Sequence, residues 1–325
     1  MTFENKADGV KLAGTLTLPK SGGPLPAVLL IPGSSAAGFD RDYATPTGRR
    51  AYLTLADYLT RRGIAVLRAD DRGVGQSTGN KVQSSVHSLA ADAVEAVAFL
   101  KSRKEIDPKR IGVLGHSFAG MTVPLAAARS SDITFVITLA GSHAARPERN
   151  GSRSGSDWRS QLEATVLQYG HLSALTNLSE SGLASRIESL LVDSRKRLNA
   201  VEQERFDEQV PDPKAYAWSN AASLTTPLIR SDLLTDPGLG PRNTKVPFLA
   251  IYGSLDPTNT PARNVPALIS YLTAGGNPDY SLVVVPGLDH NFWVCVQLVP
   301  AGGACSEEEY SPKIMQLVGD WILSH

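Results

Sequence analysis

Ser117 stands in GHSFAG, Asp256 in YGSLDPT and His290 in GLDHNFW, so a hydroxyl, a carboxylate and an imidazole follow one another in the order Ser…Asp…His. Together these groups can transfer an acyl group. The hydroxyl attacks a carbonyl, the imidazole takes the hydroxyl proton, and the carboxylate holds the ring and stabilises its charge. A serine hydroxyl is a weak nucleophile, so the base must come within hydrogen-bond reach.

The segment RIGVLGHSFAGMTVPLAAA reads as a buried strand that ends at Gly115-His116-Ser117, with an apolar helix immediately after it. A serine at so sharp a junction is lifted clear of the sheet if small residues flank it two before and two after. Gly115 fills the first position and Ala119 the second, where glycine is usual, with Gly120 next. The helix start also offers unpaired N–H groups and the positive end of its dipole to developing negative charge. A serine that merely caps a helix is the plainer alternative.

Six histidines compete for the role of base. His116 adjoins the nucleophile but leaves the turn in another direction. His87 precedes an amphipathic helix, His143 and His171 fall in a long insertion, and His325 is terminal. His290 follows the apolar run LVVVPG and occupies the late-chain loop that the Ser…Asp…His order requires. The acid should lie between Ser117 and His290. Asp256 comes just past the strand pattern VPFLAIYG, a placement that Asp232, Asp236 and Asp279 lack, and Asp289 reads as a turn former.

Acyl transfer builds charge on the substrate oxygen, and each preorganised donor there contributes roughly 3–4 kcal/mol. One donor is expected from the backbone of Phe118. The other is expected from the loop GSSAAGFDRDY, at the backbone of Ser34, with Ser35 second; a plain turn is the alternative. In RADDRGVGQSTG, Asp71 and Arg72 read as an internal ion pair, and the glycines lack the spacing of a nucleotide fingerprint. Ser35, His116, Phe292, Trp293, Trp158 and Tyr169 are candidates to line a substrate pocket, with core packing an open alternative for the aromatic residues. Leu162, Val166 and Trp218 are weaker candidates.

The elements that must position these groups recur as short Val/Ile/Leu runs, each followed by a glycine turn and a helical pattern. That rhythm predicts an α/β fold, a mostly parallel sheet flanked by helices. An opening hairpin is predicted over Thr2–Pro19. Central strands are predicted at PAVLLIP, IAVLRAD, RIGVLGHS, ITFVITLAG, VPFLAIYG and YSLVVVPG. From Ser142 to Lys245 no strand pattern occurs. A polar loop, GSHAARPERNGSRSGSDW, with little to bury, leads into helical patterns such as SRIESLLVDSRKRL. The expected division is a core of residues 1–141 and 246–325 with a helical cap at 142–245, over the sheet edge where ligands bind in open α/β folds.

Hydrophobic residues make up 42% of the 325 and charged residues 20%, as in a folded globular enzyme. Thirty-two basic residues balance thirty-two acidic ones, which argues against nucleic acid or an anionic membrane as partner and leaves a small molecule. No apolar run approaches the roughly 20 residues of a membrane helix. The N-terminus has no signal-peptide pattern, which fits either a cytoplasmic protein or a secreted or periplasmic one that starts at its mature end with a supplied Met1. Cys295 and Cys305 could close a short disulfide loop or remain reduced.

Taken together, the loop GSSAAGFDRD resembles the Gly-Ser-Gly-Pro-x-Asp-Arg-Asp loop of a bacterial α/β-hydrolase family of esterases. The blocks LADYLTRRGIAVLRADDRGVGQSTG, GHSFAG, VPFLAIYGSLDPTNTPARNVPALISYLTAGGN and VVVPGLDHNFW resemble their counterparts in order. The resemblance implies the α/β-hydrolase fold, carboxylesterase activity on short acyl esters, a triad of Ser117, Asp256 and His290, and neither cofactor nor metal. Relatives described as prolyl-oligopeptidase-like or acyl-thioesterase-like leave amide and thioester cleavage open, and a ligand-binding protein that keeps the fold is a further alternative. Ala119 departs from the usual elbow glycine. Ser35-Ala36 departs from Gly-Pro, which leaves the second donor's identity open.

Overall fold

The structure is a computed structural model that describes all residues except 21, 34–37, 39, 45–47, 145–157 and 295–309. The described residues divide into two compact units, one of residues 1–81, 86–144 and 237–325 and one of 82–85 and 145–236.

The first unit is built on an eight-stranded sheet. Strands β1 (Thr2–Asn5) and β2 (Val10–Thr17) form the opening hairpin, and β2 pairs antiparallel with β4 (Ala65–Ala69). From there the sheet is parallel through β3 (Leu25–Ile31), β5 (Ile106–His116), β6 (Phe135–Leu139), β7 (Phe248–Gly253) and β8 (Tyr280–Val285), in the order β1-β2-β4-β3-β5-β6-β7-β8. Every residue of β6 and β7 is buried, which requires cover on both faces and explains why these strands read as unbroken apolar runs rather than alternating ones.

Helices α1 (Ala51–Arg61) and, at the chain end, α11 (Pro312–Ser324) cover one face. Leu55, Leu59, Ile314, Val318 and Ile322 join Val28, Leu114, Ile137 and Ile251 in one core there. Helices α2 (Val86–Lys101) and α3 (Ala119–Ala127) pack against each other and against β5.

The second unit holds helices α4 (Trp158–Thr176), α5 (Glu180–Lys196), α6 (Ala200–Gln209), α7 (Pro213–Leu224) and α8 (Pro227–Leu234). Its polar sequence specifies these helices through their starts. Ser179, Asn199, Asp212 and Thr226 each accept a backbone N–H at an N-cap, and Asn199 with Glu202 forms a reciprocal capping box. Leu162, Val166, Leu183, Ile187, Phe206 and Leu224 supply its apolar interior.

The boundaries differ from those the sequence suggests. Residues 142–144 and 237–245 belong to the first unit. Helix α9 (Leu239–Asn243) lies against α3, where Thr244 Oγ1 donates to Pro124 O at 3.3 Å and a Cβ on Gly240 would come within 2.7 Å of Leu125 N. Periodicity reports that a helix exists, not which body it packs on. Helix α10 (Pro261–Ala274) packs beside α9. The polar stretch 145–157 and the pair Cys295 and Cys305 lie outside the described residues.

Candidate active site

β5 ends at His116 and α3 begins at Ala119, with only Ser117 and Phe118 between them. Ser117 takes up that turn with a φ of +54°, a left-handed conformation that costs an L-residue energy and persists only where its surroundings fix it. They do so by bonding its backbone on both sides. Its N–H donates to Leu139 O at 2.9 Å, and its carbonyl accepts from Gly120 N at 2.9 Å and Ser142 N at 3.1 Å.

The turn closes only with small residues. A Cβ on Gly115 would lie 2.7 Å from Ala119 O, and one on Gly120 would lie 2.5 Å from Gly141 Cα. Ala119 itself is buried, and its methyl fits where glycine is the commoner choice. Ser117 is left half-buried, between the buried end of β5 and the buried first turns of α3.

His290 lies in the loop after β8 and Asp256 in the loop after β7. His290 Nε2 is 2.9 Å from Ser117 Oγ, and His290 Nδ1 is 2.8 Å from Asp256 Oδ2. Asp256 is buried, whereas the His290 side chain keeps 16% of its surface exposed. The second carboxylate oxygen, Oδ1, accepts from the N–H groups of Thr258 at 2.7 Å and Asn259 at 2.8 Å. Asn259 in turn donates to Ala140 O at 2.7 Å, tying the acid's turn to the end of β6.

Asp289 does not join this chain. Its Oδ1 accepts from Asn291 N and Trp293 N, both at 2.9 Å, which folds the loop that carries His290. Burial pushes its carboxyl above the ordinary value, against the pull of those two N–H donors.

The end of β3 approaches the nucleophile from the side. A Cβ on Gly33 would lie 3.1 Å from Ser117 Cβ, so the chain can pass this close only without one. Gly33 O accepts from Lys81 Nζ at 3.1 Å, and Lys81 is paired with Asp71 at 2.6 Å. Ser34 and Ser35, the expected second donor and its alternate, lie outside the described residues. Phe118 is the N-cap of α3, so its N–H lies at the helix start beside Ser117.

The Asp-Arg-Asp stretch beyond that loop is anchored on β4 and just past it. Arg41 meets Asp70, with Nε donating to Oδ1 at 2.9 Å, and Asp42 meets Arg68. Burial raises the Asp70 carboxyl, but the Arg41 bonds outweigh it and leave the group below its ordinary value.

Asp71 and Arg72, read in the sequence as one internal pair, have other principal partners. Asp71 meets Lys81, and Arg72 meets Asp92 at 2.6 Å and Asp8 at 2.6 Å. Adjacent side chains leave a turn in different directions, so sequence neighbours are poor candidates to pair.

The expected pocket residues lie as follows. His116 is buried beneath the site, its ring 5.0 Å from that of His290. Phe292 is fully buried with its ring 6.3 Å from His116, and Trp293 is buried with its ring 5.8 Å from Tyr310; both belong to the core of the first unit. Trp158 packs on Phe206 at 5.2 Å and Tyr169 on the same helical core, within the second unit. Leu162 and Val166 are buried in that core, and Trp218 is 41% exposed. His143 belongs to the first unit, fully buried, and its N–H donates to Asn264 Oδ1 at 2.8 Å.

Sequence reasoning missed Asn259, Lys81 and Tyr52. Asn259 carries a weak signal, as the third residue after an Asp in a turn. Nothing local marks Lys81 or Tyr52.

Comparison with known proteins places the chain among hydrolases. A family model described as "X-Pro dipeptidyl-peptidase (S15 family)" matches residues 8–286. Over 130 residues the chain is 36% identical to "Esterase EstD" of Thermotoga maritima, a match covering 40% of this chain and 30% of that protein. Over 133 residues it is 31% identical to "Thiohydrolase aneE" of Aspergillus aculeatus, covering 41% of this chain and 38% of that protein. The matches thus span about a third of the length of these relatives. Among solved structures, "Alpha/beta hydrolase GrgF" from Penicillium sp. sh18 shares the fold at a TM-score of 0.58 and 18% identity, over 100% of this chain and 97% of that one.

Proposed function

We propose, for a chain that belongs to the X-Pro dipeptidyl-peptidase (S15) family and is a serine-type hydrolase of the α/β-hydrolase fold, that it is a carboxylesterase of short-chain acyl esters. One observation carries the reading. Ser117 Oγ, His290 and Asp256 form a continuous hydrogen-bonded chain, at 2.9 Å and 2.8 Å, from a serine held at positive φ.

In the proposed reaction Ser117 Oγ attacks the ester carbonyl while His290 Nε2 takes its proton. Asp256 holds the Nδ1–H tautomer and stabilises the imidazolium that forms. The N–H of Phe118 and a second donor from the loop after Gly33, with Ser34 the candidate, receive the charge on the carbonyl oxygen. His290 then protonates the leaving alcohol, and the acyl group stays on Ser117. Water, deprotonated by His290, attacks that acyl-enzyme, and the acid leaves as Ser117 regains its proton. Phe292 and Trp293, which border a cavity together with His116 and Tyr52, and Tyr169, which borders one in the helical unit, remain pocket candidates, while Trp158 packs on Phe206 in the helical core.

A second reading, thioester cleavage by the same three residues, is favoured by the likeness to a thiohydrolase, and the family description brings amide cleavage with it. p-Nitrophenyl esters of graded acyl length, an acyl-CoA and an X-Pro p-nitroanilide, each assayed with the wild type and Ser117→Ala, separate the three. Fastest turnover of the short esters, lost in Ser117→Ala, is the expected result. Turnover that survives Ser117→Ala would end the proposal.

A further inference from the structure

We propose that Tyr52 and His116 form a directional hydrogen-bond relay that fixes the main chain of His290, which makes them positioning residues for the reaction above; the inference rests on that reading. Neither has a role in acyl transfer itself, and nothing in the triad requires them.

The relay begins where β3 ends. Gly33 N–H donates to Tyr52 Oη at 3.4 Å, Tyr52 Oη lies 3.0 Å from His116 Nδ1, and His116 Nε2 lies 2.9 Å from the carbonyl oxygen of His290. Chemistry assigns the direction of each bond. A carbonyl oxygen only accepts, so Nε2 of His116 carries the proton. The ring is buried, and burial first, then the neighbouring His290, holds it down to a pKa of about 4, so it is neutral near pH 7. With the proton on Nε2, Nδ1 has only a lone pair, so Tyr52 must donate to it and its oxygen is left to accept from Gly33. The donors and acceptors therefore run one way, from the stem of the loop after β3 to the backbone of the proposed base.

The choice of target distinguishes this from a histidine that the fold merely satisfies. Among all carbonyls near the end of β5, the ring bonds to that of the residue whose imidazole faces Ser117, and His116 is bonded covalently to Ser117. Nucleophile and base are thus gauged against each other by one peptide unit and one ring. Phe292, two residues on, sets its ring 6.3 Å from that of His116 with its own backbone at a φ of +60°, so the loop carrying His290 meets the His116 ring at a second point. Asp256 fixes the imidazole by its edge; the relay fixes the peptide from which it grows.

Such a device acts on the reaction rather than on substrate capture. If His290 loses its carbonyl anchor, the Ser117–His290 distance broadens and the productive fraction falls, while substrate contacts persist. The expected signature is a fall in kcat with little change in KM.

The test uses p-nitrophenyl acetate with the wild type, Tyr52→Phe, His116→Leu, His116→Gln and Ser117→Ala. Tyr52→Phe and His116→Leu are each expected to lower kcat about tenfold or more with KM within about twofold, and to slow fluorophosphonate labelling of Ser117 in proportion. His116→Gln, whose amide N–H can reach the same carbonyl, is expected to recover part of the loss. Should His116→Leu fail to fold, Tyr52→Phe and His116→Gln, with their melting temperatures, decide the matter. Wild-type kcat in Tyr52→Phe and His116→Gln beside a lowered melting temperature, with Ser117→Ala inactive, would overturn the relay alone. An active Ser117→Ala would overturn the triad and the relay together.

Discussion

The backbone N–H of Asn259 donates to Oδ1 of Asp256 at 2.8 Å, so the oxygen that does not face His290 is held by the acid's own turn. Thr258 N–H adds a second bond to the same oxygen at 2.7 Å. With Oδ1 occupied, Oδ2 is aimed at the imidazole by geometry rather than by chance rotation.

Asp256→Asn should keep this turn, since an amide oxygen can accept the same two N–H groups. It removes the charge that stabilises the imidazolium and presents the ring with an N–H donor. The expected result is a fall in kcat of about 10³- to 10⁴-fold with the fold retained. Steady-state kinetics beside far-UV circular dichroism check it, and a loss under about tenfold would contradict the assigned role.

The nucleophile turn should tolerate no methyl on its glycine faces. Gly120→Ala would bring a Cβ within 2.5 Å of Gly141 Cα, a backbone atom that cannot swing aside, so α3 must move off the end of β6. A cost of about 2–3 kcal/mol is expected, with activity lost out of proportion to stability because Ser117 moves with the helix. Ala119→Gly makes the opposite change and should cost under about 1 kcal/mol, by helix propensity alone. Melting temperatures of the two variants decide it.

Stability should depend on pH through His116. Its folded pKa of about 4 lies below the ordinary 6.5, so between those values the unfolded chain binds a proton that the native protein refuses. This contribution is present in full above pH 6.5, falls as pH drops toward 4, and is flat below, a change of about 3 kcal/mol at most. Asp289, whose carboxyl is raised by burial, works in the opposite sense, gaining stability as pH falls through its folded pKa. Urea unfolding of wild type and His116→Gln between pH 4 and 7 separates them. An unchanged slope in the variant would remove His116 from the account.

Buried and exposed ion pairs should respond differently to truncation. Arg72 reaches both oxygens of Asp92, at 2.6 Å and 2.7 Å, and Asn5 Nδ2 donates to the same carboxylate at 2.7 Å. Arg72→Met would strand a buried charge and should cost about 3–5 kcal/mol. Arg61→Ala breaks an exposed pair with Asp57 and should leave the melting temperature unmoved.

Much of this architecture was legible because local physics is strong there. The apolar runs of β3, β6 and β7 are buried on both faces and cannot be mistaken for surface, and the glycine at 115 marks the turn that Ser117 needs. The elimination that singled out His290 used its place after an apolar run together with the Ser…Asp…His order, and the same two criteria selected Asp256. What escaped was side-chain direction. Phe292 and Trp293 sit two and three residues past His290, and the sequence leaves open whether they turn to a pocket or to the core; both are buried. Tyr52 lies on a helix far from every motif and reaches His116 only through the packing of α1 against the sheet. The break at 236 likewise depended on where α9 docks, which no periodicity encodes.

The register that sets Leu139 beside Ile251 joins two strands separated in the chain by residues 145–236, which carry every helix of the second unit. Ser117 precedes that gap and both of its partners follow it. Folding must therefore close one of the longest loops in the protein before hydroxyl and imidazole can meet, and non-local pairings of this kind form slowly. Enzymatic recovery after dilution from denaturant will accordingly trail the return of helical signal, and will time the final zippering of the sheet rather than the first collapse.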